Sequence, residues 1–212
     1  MKTPSSVPYS NISRLPRYHR FLSELSKEGR ERISSGELAE IMGVTSSQIR
    51  QDFKSFGLTG QQGYGYNVSD ILDEIAVVLG LNKEKKAVLV GSGNLGRAIG
   101  SLSFSDKGFR LIGVFDANKA LTGKKVGKCK IADIEDIDEF CRTEKPEAAF
   151  LCIPEEQAPA IVSKLIDLGI RAFWNFSHYD IKNNYPHATV ENVHLSDSLM
   201  KLSYLLETKN EG

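Results

Sequence analysis

Cysteine is scarce in this 212-residue sequence: Cys129, Cys141 and Cys152 are odd in number and show no C-x-x-C spacing. That excludes a disulfide framework and offers no zinc pattern, so reduced thiols and no metal site are expected. Net charge is missing too, 27 Lys and Arg balancing 27 Asp and Glu. Blanket attraction to nucleic acid is therefore excluded, although local basic patches are not. No apolar run approaches the ~18 residues of a membrane span. Residues 1–10 lack the apolar core of a signal peptide. Together these absences predict a cytoplasmic protein. Histidine is sparse as well: His19 falls in a helical pattern, and His178, His187 and His194 lie in loops or at a helix start. A loop histidine is more often a surface residue than a base, so acid–base catalysis has thin support.

What is present centres on residues 87–100, A-V-L-V-G-S-G-N-L-G-R-A-I-G. Four apolar residues run into Gly91-x-Gly93-x-x-Gly96, and Leu95, Ala98 and Ile99 follow at helical spacing. This predicts a buried strand, a tight turn and a helix whose N–H groups face an anion. Gly91 permits the turn, Gly93 lets the backbone approach a pyrophosphate, and Gly96 lets helix and strand pack closely. Ser92, Asn94 and Leu95 complete the candidate cofactor loop. Asp116 ends a second apolar run, residues 111–115, about 20 residues past the last glycine, where an acid bonds ribose hydroxyls. A carboxylate there repels a 2′-phosphate, which favours NAD(H) over NADP(H). The bland alternative is a glycine turn in an unliganded α/β domain.

About 85 residues precede that strand, more than a dinucleotide enzyme usually carries there. Leu15, Tyr18, Phe21, Leu22 and Leu25 recur at helical spacing over residues 14–29, with Pro16 in the first turn. Ser34 with Glu37 forms a capping box for a short helix through Met42, closed by Gly43. Thr45 with Gln48 forms another, for a helix over residues 46–56 that turns Ile49 and Phe53 inward. Helix, short glycine turn, helix is a helix-turn-helix, whose second helix enters a major groove. Its outward face carries Ser46, Ser47, Arg50, Gln51 and Lys54, groups that reach phosphates and base edges. Asp52 is read as supporting the fold or orienting a basic neighbour. The glycines of residues 57–66 predict a tight hairpin, a wing whose Gln61, Gln62 and Tyr64 contact DNA. Lys and Arg outnumber Asp and Glu nine to six over residues 1–66. A helical dimerisation or cap domain is the alternative for this segment.

A helix over residues 71–79, capped from Asn67, leads to a charged linker and a domain boundary near Asn82. Beyond Asp116 the pattern predicts strands at 129–131, 148–153, 170–173 and 189–190, with helices at 134–141 and from Glu155 to about 168. Alternating strands and helices predict an α/β fold with a mostly parallel, doubly wound sheet. Ligands of such sheets lie beyond the strand carboxyl ends, which places Pro154 and the loop at Asn175, Phe176 and Ser177 beside the glycines. The expected domains are residues 1–82, 83–191 and 192–212. No length remains for a substrate domain. The last helix, residues 193–206, carries Leu195, Leu199, Leu202 and Leu205 at helical spacing. It packs either on its own domain or into a partner subunit.

With these residues in hand, the chain resembles the Rex family, the NADH-sensing transcriptional repressors of bacteria. The resemblance runs end to end and rests on R-L-P-R-Y-H at 14–19, S-Q-I-R-Q-D at 47–52, G-Q-Q-G-Y-G-Y at 60–66 and G-S-G-N-L-G at 91–96. W-N-F at 174–176 and V-E-N-V-H-L-S at 190–196 add to it. It implies a winged-helix domain, a Rossmann-type domain and a homodimer with a domain-swapped C-terminal helix. It also implies an A/T-rich inverted-repeat operator that is released when NADH binds, with NADH and NAD+ as signals rather than reactants. A pocket of Pro154, Phe176 and Leu195 of the partner subunit would meet the nicotinamide. Some positions depart from the common pattern: Gln61 and Gln62 replace wing cations, His194 and Leu195 replace an Asp-Phe pair, and a Tyr is lost near Leu102. An NAD-dependent oxidoreductase with an accessory N-terminal domain is the runner-up, and a CoA- or nucleotide-binding module is a third reading.

Overall fold

The chain enters its first long helix through Arg14, and Pro16 suits the first turn, where no N–H is needed. In the computed structural model, which describes residues 7–60 and 64–210, α1 spans Tyr9–Ile12 and α2 spans Leu15–Lys27. The helical spacing of Leu15, Tyr18 and Leu22 buries all three. Next come β1 (Arg32–Ile33) and α3 (Ser35–Met42). The Ser34–Glu37 capping box is present in both directions, at 3.1 and 2.9 Å, and Gly43 closes α3 in the left-handed conformation. Thr45 forms one arm of its expected box, accepting from the Gln48 N–H at 3.2 Å, and starts α4 (Ser46–Ser55).

The hairpin expected from the glycines of residues 57–66 includes residues 61–63, which lie outside the described residues. The strand leading out of them, β2 (Tyr66–Asn67), pairs antiparallel with β1. The reason is burial: this register sets Ile33 opposite Tyr66, and both enter the core. Asn67 caps α5 (Val68–Val78) by accepting from the Asp70 N–H at 3.2 Å. That helix starts three residues earlier than expected, because Val68 is itself buried. Leu15, Tyr18, Leu22, Leu38, Ile49, Phe53 and Ile75 form one continuous core.

The chain divides into two units after Lys83. The second is built on a seven-stranded sheet. Its strands are β3 (Lys85–Val90), β4 (Phe109–Asp116), β5 (Lys125–Val126), β6 (Cys129–Asp133), β7 (Ala148–Leu151), β8 (Ala172–Asn175) and β9 (Thr189–Asn192). They lie in the order β5-β6-β4-β3-β7-β8-β9, all parallel except β5. The helices are α6 (Asn94–Gly100), α7 (Ile137–Glu144), α8 (Ala158–Asp167), α9 (Ile181–Asn184) and α10 (Leu195–Asn210). Alternate residues of β3 serve different cores: Val88 and Val90 join Val162 and Leu165 of α8, while Ala87 and Leu89 join Phe104 and Phe150. A strand buried on both faces reads as an unbroken apolar run, which is how β3 and β7 were visible in the sequence.

The strand expected at 170–173 instead runs Ala172–Asn175. Ile170, past the end of α8, is still tied back to it, its N–H donating to the Leu165 carbonyl at 3.0 Å, and pairing with β7 begins at Ala172. Every hydrophobic side chain of α10 from Leu195 to Leu206 is more than half exposed. No helix among the described residues is long and apolar enough to cross a membrane.

Candidate functional site

In the second unit the strand order reverses at β3, where β4 lies on one side and β7 on the other. Such a reversal opens a crevice at the carboxyl ends of the strands. A cavity of about 270 Å³ sits there, lined by Gly91 and Gly93, by Asp116 and Asn118, and by Pro154 with Ile161. Thus Gly91, Gly93, Asp116 and Pro154, far apart in sequence, come together in one wall.

Two of the three glycines are required by the packing of the loop itself, and the third leaves space. Gly91 adopts φ +93°, and a Cβ there would strike the Cys152 carbonyl. At Gly96 a Cβ would strike the Gly91 carbonyl, so this residue sets the strand–helix approach. At Gly93 a Cβ would meet nothing within 4 Å. Its bareness leaves open space in front of the backbone, which is the fit expected of a pyrophosphate seat. Gly93 is also the N-cap of α6, and no side chain caps that end. Asn94, Leu95 and Gly96 form the first turn there, whose N–H groups favour an anion.

Asp116 is bound from three sides. Oδ2 accepts from the Ser92 N–H at 2.6 Å and the Ser92 hydroxyl at 2.7 Å, and Oδ1 accepts from the Asn118 N–H at 2.8 Å. Burial works against its charge, but these hydrogen bonds prevail and hold the carboxyl below its ordinary range. Ser92 is fully buried, so its polar groups act on Asp116. The carboxylate therefore fixes the glycine loop and still faces the cavity.

Six expected residues are not part of this lining: Ser92, Asn94, Leu95 and Gly96 belong to the glycine loop and the first turn of α6, and Phe176 and Leu195 lie on other elements. Phe176 follows β8, its ring 4.6 Å from that of Trp174 in an edge-to-face contact. Leu195 opens α10 and is exposed. Buried Asn175, the last residue of β8, donates to the Tyr179 carbonyl and Asn192 Oδ1 and accepts from Ser177. It fixes the loop that carries Phe176. Its loop was expected beside the glycines, but no sequence signal pointed to Asn118, Ile134, Cys152, Gln157 or Ile161, which line the cavity. Sheet order brings these together, and no local spacing announces it. Burial raises the Cys152 thiol to about 12, so that side chain stays neutral at ordinary pH and Asp116 carries the charge of this lining.

In the first unit, α4 presents Ser47, Arg50, Gln51 and Lys54 to solvent, with Ser46 half-buried. Its opposite face buries Ile49, Asp52 and Phe53. Asp52 does both things expected of it. It accepts from Arg14 Nε and Nη2 at 2.7 and 2.6 Å and from the Tyr18 hydroxyl at 2.7 Å, tying α4 to α2. Tyr64 is exposed, and the Arg32 guanidinium lies 5.8 Å from its ring centroid. Gln61 and Gln62 lie outside the described residues.

Comparison with known proteins matches the same two regions. Residues 6–54 match the family model "Putative DNA-binding protein N-terminus", and residues 82–179 match "CoA binding domain". The redox-sensing transcriptional repressor Rex of Thermoanaerobacter pseudethanolicus is 47% identical over 208 residues, covering 97% of this chain and 92% of that protein. The Rex repressor of Clostridium novyi is 42% identical over 211 residues, covering 99% of this chain and 100% of that protein. The chain belongs to the Rex family. Among solved Rex-family structures, RSP in complex with β-NAD+ and operator DNA superposes with TM-score 0.90 at 46% identity, covering 99% of this chain and 95% of that one. RSP in complex with β-NADH gives 0.88 at 43% identity, covering 99% and 97%. The Rex relatives are named as repressors, which leaves the oxidoreductase alternative without support.

Proposed function

We propose that this chain is a transcriptional repressor that binds operator DNA and is released when NADH binds. The observation that carries this reading is the cavity where Gly91, Gly93 and Asp116 meet, in a chain that also presents the polar face of α4. Residues 1–82 bind DNA, residues 83–191 bind NAD(H), and residues 192–212 form the helix and tail that join two subunits. The protein works in the cytoplasm as a homodimer. In it the apolar side chains of α10, exposed in the single chain, are buried by domain swapping against the partner.

On the DNA side, Ser46, Ser47, Arg50, Gln51 and Lys54 enter the major groove of an A/T-rich inverted repeat, and Gln61, Gln62 and Tyr64 of the wing reach the minor groove. Asp52 bears a charge of the wrong sign for this task, and its pairing with Arg14 inside the fold neutralises it. On the cofactor side, the first turn of α6 at Asn94, Leu95 and Gly96 receives the pyrophosphate, and Asp116, held by Ser92, receives the ribose. Asp116 also favours NAD(H) over CoA, whose ribose carries a phosphate.

Pro154, Phe176 and Leu195 of the partner subunit form an apolar surround for the nicotinamide. Such a surround disfavours the cationic ring of NAD+, because burying an unpaired charge is costly. The closed dimer is thus favoured by the neutral, reduced ring, and its two recognition helices no longer match two half-sites. Moving the population from 1:99 to 99:1 requires about 5.5 kcal/mol, or about 2.7 for each of two sites. The test is to titrate NADH and NAD+ separately into the protein–operator complex at fixed salt, reading fluorescence anisotropy of the DNA. Release is expected with NADH at far lower concentration, and equal release by both would overturn the mechanism.

A further inference from the structure

Arg50 is exposed on α4, yet its guanidinium is tethered. Nη1 donates to the Ser35 hydroxyl at 3.0 Å, and Nη2 donates to the Ser47 hydroxyl at 3.4 Å. Ser47 is one turn back on the same helix, but Ser35 is the first residue of α3. The charge of Arg50 is also felt at β2, where burial pushes the Tyr66 phenol up and that charge opposes the shift.

The adjacent serines at the start of α3 have separate tasks. Ser34 is the cap, its hydroxyl taken by the Glu37 N–H. With Ser34 and Glu37 completing the capping box, the Ser35 hydroxyl is not needed to start the helix. It faces Arg50 instead.

We infer that Ser35 is a positioning residue for DNA recognition, its hydroxyl holding Arg50 in the orientation that meets the nucleic acid. The inference rests on the reading that Arg50 contacts DNA. Arginine has five N–H donors in a rigid fork, and two neutral acceptors leave the remaining donors for a phosphate or a guanine edge. A side chain already restricted loses less freedom on binding, so affinity depends on a residue that need not touch the DNA. The start of α3, and not α4 alone, then sets how tightly the operator is held.

The inference is tested by a double-mutant cycle on the full-length protein. The probe is a duplex selected by the wild-type protein from a pool of randomised inverted repeats, and the assay runs at low salt so that weakened variants still bind. Ser35→Ala is expected to weaken binding about three- to tenfold, the range of one lost hydrogen bond. In an Arg50→Ala background the same change should have no effect. Ser35→Thr should restore binding, and NADH affinity should be unchanged throughout. An equal loss with and without Arg50 would mean that Ser35 acts on α3 itself, and the inference fails. No loss in either background also overturns it. If Arg50→Ala alone leaves binding intact, the assignment of Arg50 as a DNA contact fails and takes the inference with it. Loss with Arg50→Ala but none with Ser35→Ala removes only the positioning role.

Discussion

Two carboxylates, Asp52 in the first unit and Asp116 in the second, are each held by three hydrogen bonds, but by different kinds of donor. Asp52 is only 2% exposed and takes two bonds from the Arg14 guanidinium and one from the Tyr18 phenol, all from α2 and its N-cap. Asp116 takes two backbone N–H groups and one hydroxyl, with no cation among its donors. A carboxylate paired with a full charge inside the fold is used up as a fastener. One stabilised by neutral donors keeps its charge and turns it toward a cavity. The first unit is accordingly organised by side chains that cross between helices and present a surface. The second is organised by backbone groups and glycines that frame an opening.

The sharpest way to break this contrast is Gly91→Ala. The new Cβ would sit at a φ that L-residues rarely adopt and would strike the Cys152 carbonyl, so the second unit should lose about 3 kcal/mol or more. Trp174, the single tryptophan, lies on β8 in that unit and reports its unfolding by fluorescence. The urea midpoint read at Trp174 should fall and NADH binding should be lost, while the helices of the first unit melt unchanged by circular dichroism. An unmoved Trp174 midpoint would show that the backbone loop is less constrained than argued. Asp52→Asn is the mirror experiment. It keeps the volume but removes the charge, at a cost of about 2 kcal/mol to the first unit. Operator affinity should fall with the helical signal, and the Trp174 transition should stay where it was. A shift at Trp174 instead would mean that the two units do not unfold separately.

The same contrast explains what could be read from the sequence. The capped helices were legible because their signals are local: Ser34 and Glu37 are three residues apart and bond each other. The apolar runs of β3 and β7 were legible because both faces are buried. So was the glycine loop, since Gly91 and Gly96 answer constraints within a few residues or on the neighbouring strand end. Pairings of two-residue strands were not, since β1 and β2 carry no periodicity and exist through the Ile33–Tyr66 contact in the core. The far wall of the cavity was hidden for a related reason. Ile134, Gln157 and Ile161 reach it from separate segments, and only the strand order juxtaposes them. Phe176 and Leu195 stand apart from that wall in the single chain, and a nicotinamide pocket that includes them depends on the proposed dimer.

The contrast is sharpened further by Asp116→Asn. The cavity keeps its shape but loses the anion that the ribose hydroxyls would meet, so NADH affinity should fall about tenfold. Discrimination against NADPH should narrow as well, because repulsion of the 2′-phosphate goes with the charge. Both dissociation constants can be measured by nicotinamide fluorescence. A tenfold loss for NADH with unchanged discrimination would leave Asp116 a ribose ligand but not the determinant of cofactor choice.

The smallest effect expected is on acid stability. The Asp116 carboxyl is held below its ordinary value of 3.8, burial opposing the shift and the bonds from Ser92 and Asn118 producing it. A group whose folded-state value is depressed contributes stability that is present above the unfolded value and lost as pH falls through the folded one. The second unit should therefore lose stability progressively from about pH 5 downward. Other carboxylates titrate in the same window, so the informative quantity is the difference between wild type and Asp116→Asn in the Trp174 urea midpoint. That difference should be largest near neutral pH and shrink as pH approaches 3. The residue faces an open cavity, where solvent screening reduces the effect, so a narrowing of a few tenths of a molar in urea is the scale to look for. A constant gap across the range would mean that Asp116 steadies the loop by shape alone, and its charge would then be free of structural duty and reserved for the ligand.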